Sequence, residues 1–168
     1  MNTVRLHLIR HGATDANYKW QYIGCRTDLP LSPEGLNELR LLKEDIEYPE
    51  IQRLYSSPML RCRQTAAVLY PDTEIVTVDE LREYDFGSFE GKTAAELESN
   101  PDFLPWTSGK LSAPPGGEDN GEFIKRLCLG LNKIAVDAVN DGITDAAVIM
   151  HGGAVMMLLG AAAVPHHK

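Results

Sequence analysis

The chain has 168 residues, 43% of them hydrophobic and 24% charged, with a formal net charge of −8. That length suits one domain, 1–168, with a full core, and the acidity argues against nucleic acid or an anionic membrane as partner, so a phosphate site here must be a local island of positive charge. Three cysteines at unrelated spacings (Cys25, Cys62, Cys128), too short an apolar run before Arg10 for a signal peptide and no run that could span a bilayer together predict a cytoplasmic protein without a disulfide framework or zinc cluster.

Val4, Leu6 and Leu8 alternate as in a half-buried strand, and the run ends on Arg10-His11-Gly12. This puts a guanidinium and an imidazole at the carboxyl end of a strand, where open α/β sheets bind ligands. Imidazole can act as a nucleophile and guanidinium forks onto phosphate oxygens. Gly12 is expected to let the backbone turn tightly, so that its carbonyl can take the proton of the far His11 ring nitrogen and fix the tautomer. A loop from Ala13 to Leu31 follows, carrying Thr14, Asn17, Trp20, Tyr22, Gly24 and Arg26, and its length marks it as functional.

Ser32-Pro33-Glu34 reads as a capped helix start, with Leu36, Leu39, Leu42 and Ile46 at helical spacing and Pro49 as a limit. Ile51–Tyr55 is a second strand, running into Ser56-Ser57-Pro58 as the cap of a helix from Met59 to Leu69. Arg61 is then in the first turn, beside unsatisfied amides that favour an anion. A third strand occupies Ile75–Val78. Leu81-Arg82-Glu83-Tyr84-Asp85-Phe86-Gly87 mixes acids and aromatics as a pocket wall does, and alternation along an extended loop leaves Glu83 and Asp85 on the same side. Thr93–Leu97 is a short helix and Asn100–Asn120 an irregular rim or lid. Phe123, Leu127, Leu131, Ile134 and Ala138 mark a long helix to about Asn140, closed by Asp141-Gly142. Ala146–Met150 is apolar throughout, as a central parallel strand is, and ends on His151-Gly152-Gly153 before a small-residue helix, Ala154–Ala163. His166 and His167 at the tail are poor evidence for a metal site.

The alternation of strand and helix predicts an α/β layered domain with a largely parallel sheet. Arg10-His11, Arg61 and His151 then meet on one sheet edge. Two imidazoles and two guanidiniums in one place are costly in an acidic protein unless a dianion sits among them.

Leu8-Ile9-Arg10-His11-Gly12-Ala13-Thr14, Leu29-Pro30-Leu31-Ser32-Pro33-Glu34-Gly35, Ser56-Ser57-Pro58-Met59-Leu60-Arg61 and Met150-His151-Gly152-Gly153 occur in the order found in the histidine phosphatase superfamily, also called phosphoglycerate mutase-like, which the chain resembles over nearly its whole length. The resemblance implies a three-layer α/β/α domain in which His11 takes the phosphoryl group, Arg10, Arg61 and His151 hold its oxygens, and Glu83 is the proton donor. It further implies that Asn17, Gly24, Cys25 and Gly152 line the substrate. No metal or other cofactor is implied, since the arginines supply the positive charge. Leu81–Gly91 and Pro114-Pro115-Gly116-Gly117-Glu118 resemble the phosphatase branch, including α-ribazole phosphatases, more than cofactor-dependent phosphoglycerate mutases. The expected partner is therefore a small phosphorylated metabolite. The mutase, or a non-catalytic phosphate-binding module, is the alternative reading. The family's further C-terminal strand has no counterpart before Lys168.

Overall fold

Asp145–Met150 is the strand on which the rest is hung, and the computed structural model, which describes residues 3–162, buries it completely from Ala146 onward. In chain order the strands are β1 (Arg5–Arg10), β2 (Arg53–Ser56), β3 (Ile75–Thr77) and β4 (Asp145–Met150). The helices are α1 (Asp15–Tyr18), α2 (Pro33–Asp45), α3 (Leu60–Leu69), α4 (Ala94–Leu97), α5 (Phe103–Thr107), α6 (Asn120–Asn140) and α7 (Gly152–Ala162). The sheet has the order β1-β4-β2-β3 and every pairing is parallel.

Period-two alternation sorts β4 between two cores. Ala146, Val148 and Met150 pack with Tyr55 against Phe123, Leu127 and Ile134 of α6 and Ala154 and Leu158 of α7. Ala147 and Ile149 pack with Leu54 against Leu39 of α2 and Cys62, Ala66 and Leu69 of α3. Burying each large apolar side chain is worth about 1.5–3 kcal/mol, so both helix layers are tied to this one strand. The three-layer α/β/α arrangement follows.

Register aligns the strand ends. Arg10 pairs with Met150 and Ser56 with Ile149, so His11, Ser57 and His151 leave the sheet side by side. Helix starts follow local chemistry: the Ser32 hydroxyl accepts the Gly35 N–H at 2.9 Å, and Asp119 accepts those of Gly121 and Glu122.

Several local expectations are corrected. The Ala13–Leu31 loop contains α1, held by a capping box between Thr14 and Asn17, and the Asn100–Asn120 stretch contains α5. The Ser56-Ser57-Pro58 stretch does not cap α3; the helix begins two residues later, after Met59, and Asp28 accepts the Leu60 N–H at 2.7 Å. Gly12 has no left-handed backbone. A Cβ there would stand 3.3 Å from Leu31 Cδ2, so the position is closely packed rather than a left-handed turn. Ala163 and the tail histidines lie outside the described residues.

Candidate active site

His11 leaves β1 almost wholly buried, and its Nδ1 lies 2.7 Å from the Gly12 carbonyl. That oxygen only accepts, so Nδ1 carries the proton and Nε2 presents a lone pair. Burial, helped by Arg61 and Arg10, pulls the His11 pKa down to about 4, against the Gly12 bond, which raises it. The ring is therefore neutral near pH 7. The Gly12 N–H donates to Thr65 Oγ1 at 3.0 Å, and Thr65 donates to the Arg61 carbonyl at 2.8 Å, fixing the turn to α3.

His151 follows β4 and is fully buried, its ring edge-on to that of His11 with centroids 5.2 Å apart. Nε2 is 2.8 Å from Ser57 Oγ and 3.5 Å from Cys62 Sγ. Burial first, then Arg61, His11, Arg126 and Arg10, holds its pKa far below the ordinary imidazole range. Burial also pushes the Cys62 thiol up to about 12, so it packs as an inert thiol.

Arg61 is only 1% exposed, yet its guanidinium meets no carboxylate among the described residues. It donates to the carbonyls of Thr27 and Gly24, each at 3.2 Å. Arg10 is exposed, and among the described residues neither arginine forms an ion pair. Two unneutralised guanidiniums beside two neutral imidazoles are an arrangement able to take an anion. The start of α3 contributes less than the sequence suggests, since Asp28 occupies its first amide.

Glu83 is buried at the same edge, beside the residues that follow His151. Its Oε1 accepts the Tyr84 N–H at 2.9 Å and its Oε2 the Gly153 N–H at 3.2 Å. Burial raises its pKa, against those two bonds and against Arg61 and Arg10. The two acids that the sequence leaves on one side part here. Asp85 is taken by Arg26 through two contacts, Nε–Oδ1 at 2.7 Å and an Nη2 donation to Oδ2 at 2.9 Å. Arg126 straps the Glu83 segment from α6: it donates to the carbonyls of Glu80, Arg82 and Glu83 and pairs with Glu118 at 2.8 Å.

Asn17 Oδ1 accepts from the N–H and hydroxyl of Thr14, at 2.9 and 3.0 Å, leaving the amide nitrogen for a ligand. A cleft of about 340 Å³ is lined by Arg10, His11, Ala13, Asn17, Tyr18 and Trp20. A cavity of about 450 Å³ at the opposite sheet end, around Arg5, His7 and Asp145, contains none of the predicted site residues. Gly24 is required by contact, because a Cβ would fall 1.9 Å from the Tyr84 carbonyl. Gly152 leaves room for the Arg10 side chain, whose Nε would lie 3.1 Å from a Cβ. Cys25, half-buried, is fixed through its amide, which donates to Tyr84 O at 3.2 Å. The sequence reading passes over Ser57, Thr65, Gly153 and Arg126 as site-builders. Ser57 carries a signal in its place after a strand end, which also fits a helix cap, and Gly153 lies in a stretch that matches the family, but neither points to the contact it makes.

Among the described residues no group of three or more His, Cys, Asp or Glu side chains is placed to hold a metal ion, and no helix is long and apolar enough to cross a membrane.

The family model of the histidine phosphatase superfamily (branch 1) matches residues 6–167. A broad-specificity phosphatase of Saccharomyces cerevisiae is 30% identical over 165 residues, 94% of this chain and 70% of the yeast protein. The adenosylcobalamin/α-ribazole phosphatase of Salmonella typhimurium is 26% identical over 161 residues, 93% of this chain and 78% of its own. Among solved structures, a phosphoglycerate mutase of Bacillus anthracis superposes with a TM-score of 0.78 at 24% identity, over 95% of this chain and 80% of the other, a likeness of fold.

Proposed function

The chain belongs to the histidine phosphatase superfamily and is a phosphatase, and from that premise we propose that it hydrolyses small phosphomonoesters through a phosphohistidine on His11. The observation that carries the reading is the pair Arg10 and Arg61, unpaired with any carboxylate, beside a neutral imidazole whose tautomer Gly12 fixes.

In this reaction Arg10, Arg61, His151 and the Asn17 amide bind the phosphoryl oxygens. His11 Nε2 attacks phosphorus as the bond to the ester oxygen breaks, and the electron pair leaves with that oxygen. Glu83, its carboxyl pKa raised by burial, gives it a proton, so an alcohol departs. Water then attacks phosphorus, Glu83 takes a proton from it, and the P–N bond breaks to release phosphate and restore His11. Most of the catalysis in such a transfer is positioning and charge stabilisation, which the arginines supply without a metal. Gly24, Cys25 and Gly152 shape the walls.

The substrate proposed is a small phosphorylated metabolite. α-Ribazole 5′-phosphate enters the test panel on the Salmonella typhimurium relative, and a broad range of monoesters on the yeast one. Rapid quenching of the enzyme with labelled substrate should trap an acid-labile, base-stable phosphoramidate. His11→Ala should lose both the adduct and turnover at unchanged circular dichroism. Substantial turnover by His11→Ala overturns the mechanism.

A further inference from the structure

α1 ends in a double closure: the Gln21 N–H donates to the Ala16 carbonyl at 3.0 Å and the Trp20 N–H to that of Asn17 at 3.1 Å. That closure puts the residue after the helix cap in the left-handed region, which is why glycine normally holds the position. Here it is Trp20, at φ 57°, the one non-glycine residue with positive φ among those described. A bulky side chain in that region is strained, and such strain persists where function uses it.

The fold gains nothing from the ring in exchange, since Trp20 is 85% exposed. Neighbouring aromatics behave differently. Tyr22, Phe86, Phe103 and Trp106 pack against one another, and Trp20 is outside that cluster. Its surroundings say what the ring faces. Trp20 lines the cleft over His11, and it also lines a second lobe of about 540 Å³ with Tyr22, Thr93, Ala94 and Ala95; Arg10 and Asn17 belong to both. The two clefts share Arg10, Asn17 and Trp20 as walls, so the indole stands between the phosphoryl end at His11 and a mostly apolar neighbour.

We propose that Trp20 is a specificity-determining residue, the platform on which a planar, apolar leaving group of the phosphomonoester lies. The proposal rests on the phosphatase reading for the phosphoryl end, while the platform itself is a binding property. A phosphate held by Arg10 and Asn17 can direct its ester group past Trp20. A flat ring then covers an indole that is otherwise in water, whereas a small alkyl group reaches little of it.

Binding of non-hydrolysable mimics separates the platform from the chemistry. The affinities of benzylphosphonate and methylphosphonate are measured by calorimetry for the wild type, Trp20→Gly and Trp20→Phe. Stacking and burial of one ring lead us to expect about a tenfold preference for benzylphosphonate in the wild type. That ratio should fall close to one in Trp20→Gly and persist in Trp20→Phe. Because glycine suits the left-handed backbone, Trp20→Gly should melt at or above the wild-type temperature, so a lost preference is not a lost fold. A ratio that survives in Trp20→Gly overturns the platform, as does a wild type that shows no preference or binds neither phosphonate. A preserved preference in a protein that hydrolyses no monoester supports the platform and removes the phosphatase reading instead.

Discussion

His11→Asn tests the electrostatics of the site through stability. The asparagine amide nitrogen can replace Nδ1 as donor to the Gly12 carbonyl, so the turn keeps its bond while the titrating ring is removed. In the native protein His11 titrates at about 4, against an ordinary 6.5 in the unfolded chain. Between those values the unfolded chain binds a proton that the native ring refuses. Stability therefore falls as pH drops through this window and is fully present above it. The depression corresponds to about 3 kcal/mol, with a slope approaching about 1.4 kcal/mol per pH unit. Against a typical total of about 5–15 kcal/mol that loss is large. His151, also held neutral by burial, adds a slope of the same sign. Glu83 opposes them: its pKa is raised on folding, so its contribution is present at low pH and is lost as pH rises through the folded value. Both are retained in the variant, so the difference between the two proteins isolates His11. Urea unfolding from about pH 7.5 down to 4 should show the wild-type profile steeper than that of His11→Asn, the difference changing by about 3 kcal/mol. Parallel profiles would refute the claim that burial and the two arginines keep this imidazole neutral.

Two further substitutions probe the acid and the walls. Glu83→Gln should slow alkyl phosphates by about 10²–10⁴-fold and p-nitrophenyl phosphate much less, since nitrophenolate leaves without a proton; Asp85→Asn, which frees Arg26 at the half-exposed edge, should leave that ratio unaltered, and an alkyl-selective loss there instead would transfer the acid role to Asp85. Gly24→Ala forces a Cβ to within 1.9 Å of the Tyr84 carbonyl, and should lower stability by about 1–3 kcal/mol or more while weakening vanadate inhibition, because the Gly24 carbonyl anchors Arg61; unchanged melting and inhibition would mean that the wall yields without moving the arginine.

What the sequence makes legible is periodic or terminal. β4 reads as a central strand because it is apolar from Ala146 to Met150, and the parallel register then places Arg10-His11 beside His151. The His11–Gly12 bond is foreseeable because it joins neighbours in the chain. Contacts between residues far apart in sequence are not. Arg126 straps the Glu83 segment across more than forty residues, and one arginine on a long helix looks like any other. α1 has four residues, too few for a hydrophobic period, although the Thr14 and Asn17 pair of its capping box is visible in hindsight. Glu83 and Asp85 separate only once the Arg26 fork and the Gly153 amide are in place. The burial of Arg61 is equally invisible, because a first-turn arginine on a surface helix is ordinarily solvated.

The charge state of the unliganded site explains why an acidic protein can keep it. Of the five groups able to carry charge in the proposed reaction, burial holds the two imidazoles neutral and shifts Glu83 toward its protonated form. Arg10 and Arg61 supply the positive charge. A phosphate dianion therefore meets two positive charges and leaves a balanced site, whereas ionised Glu83 would leave it one unit too negative in a region already short of water. The same bound dianion favours a proton on His151 and raises Glu83 further, which is the state from which the leaving oxygen must be protonated. In the proposed reaction the substrate completes the acid that cleaves it, and the two N–H bonds from Tyr84 and Gly153 restrain Glu83 from holding its proton too tightly to give it up.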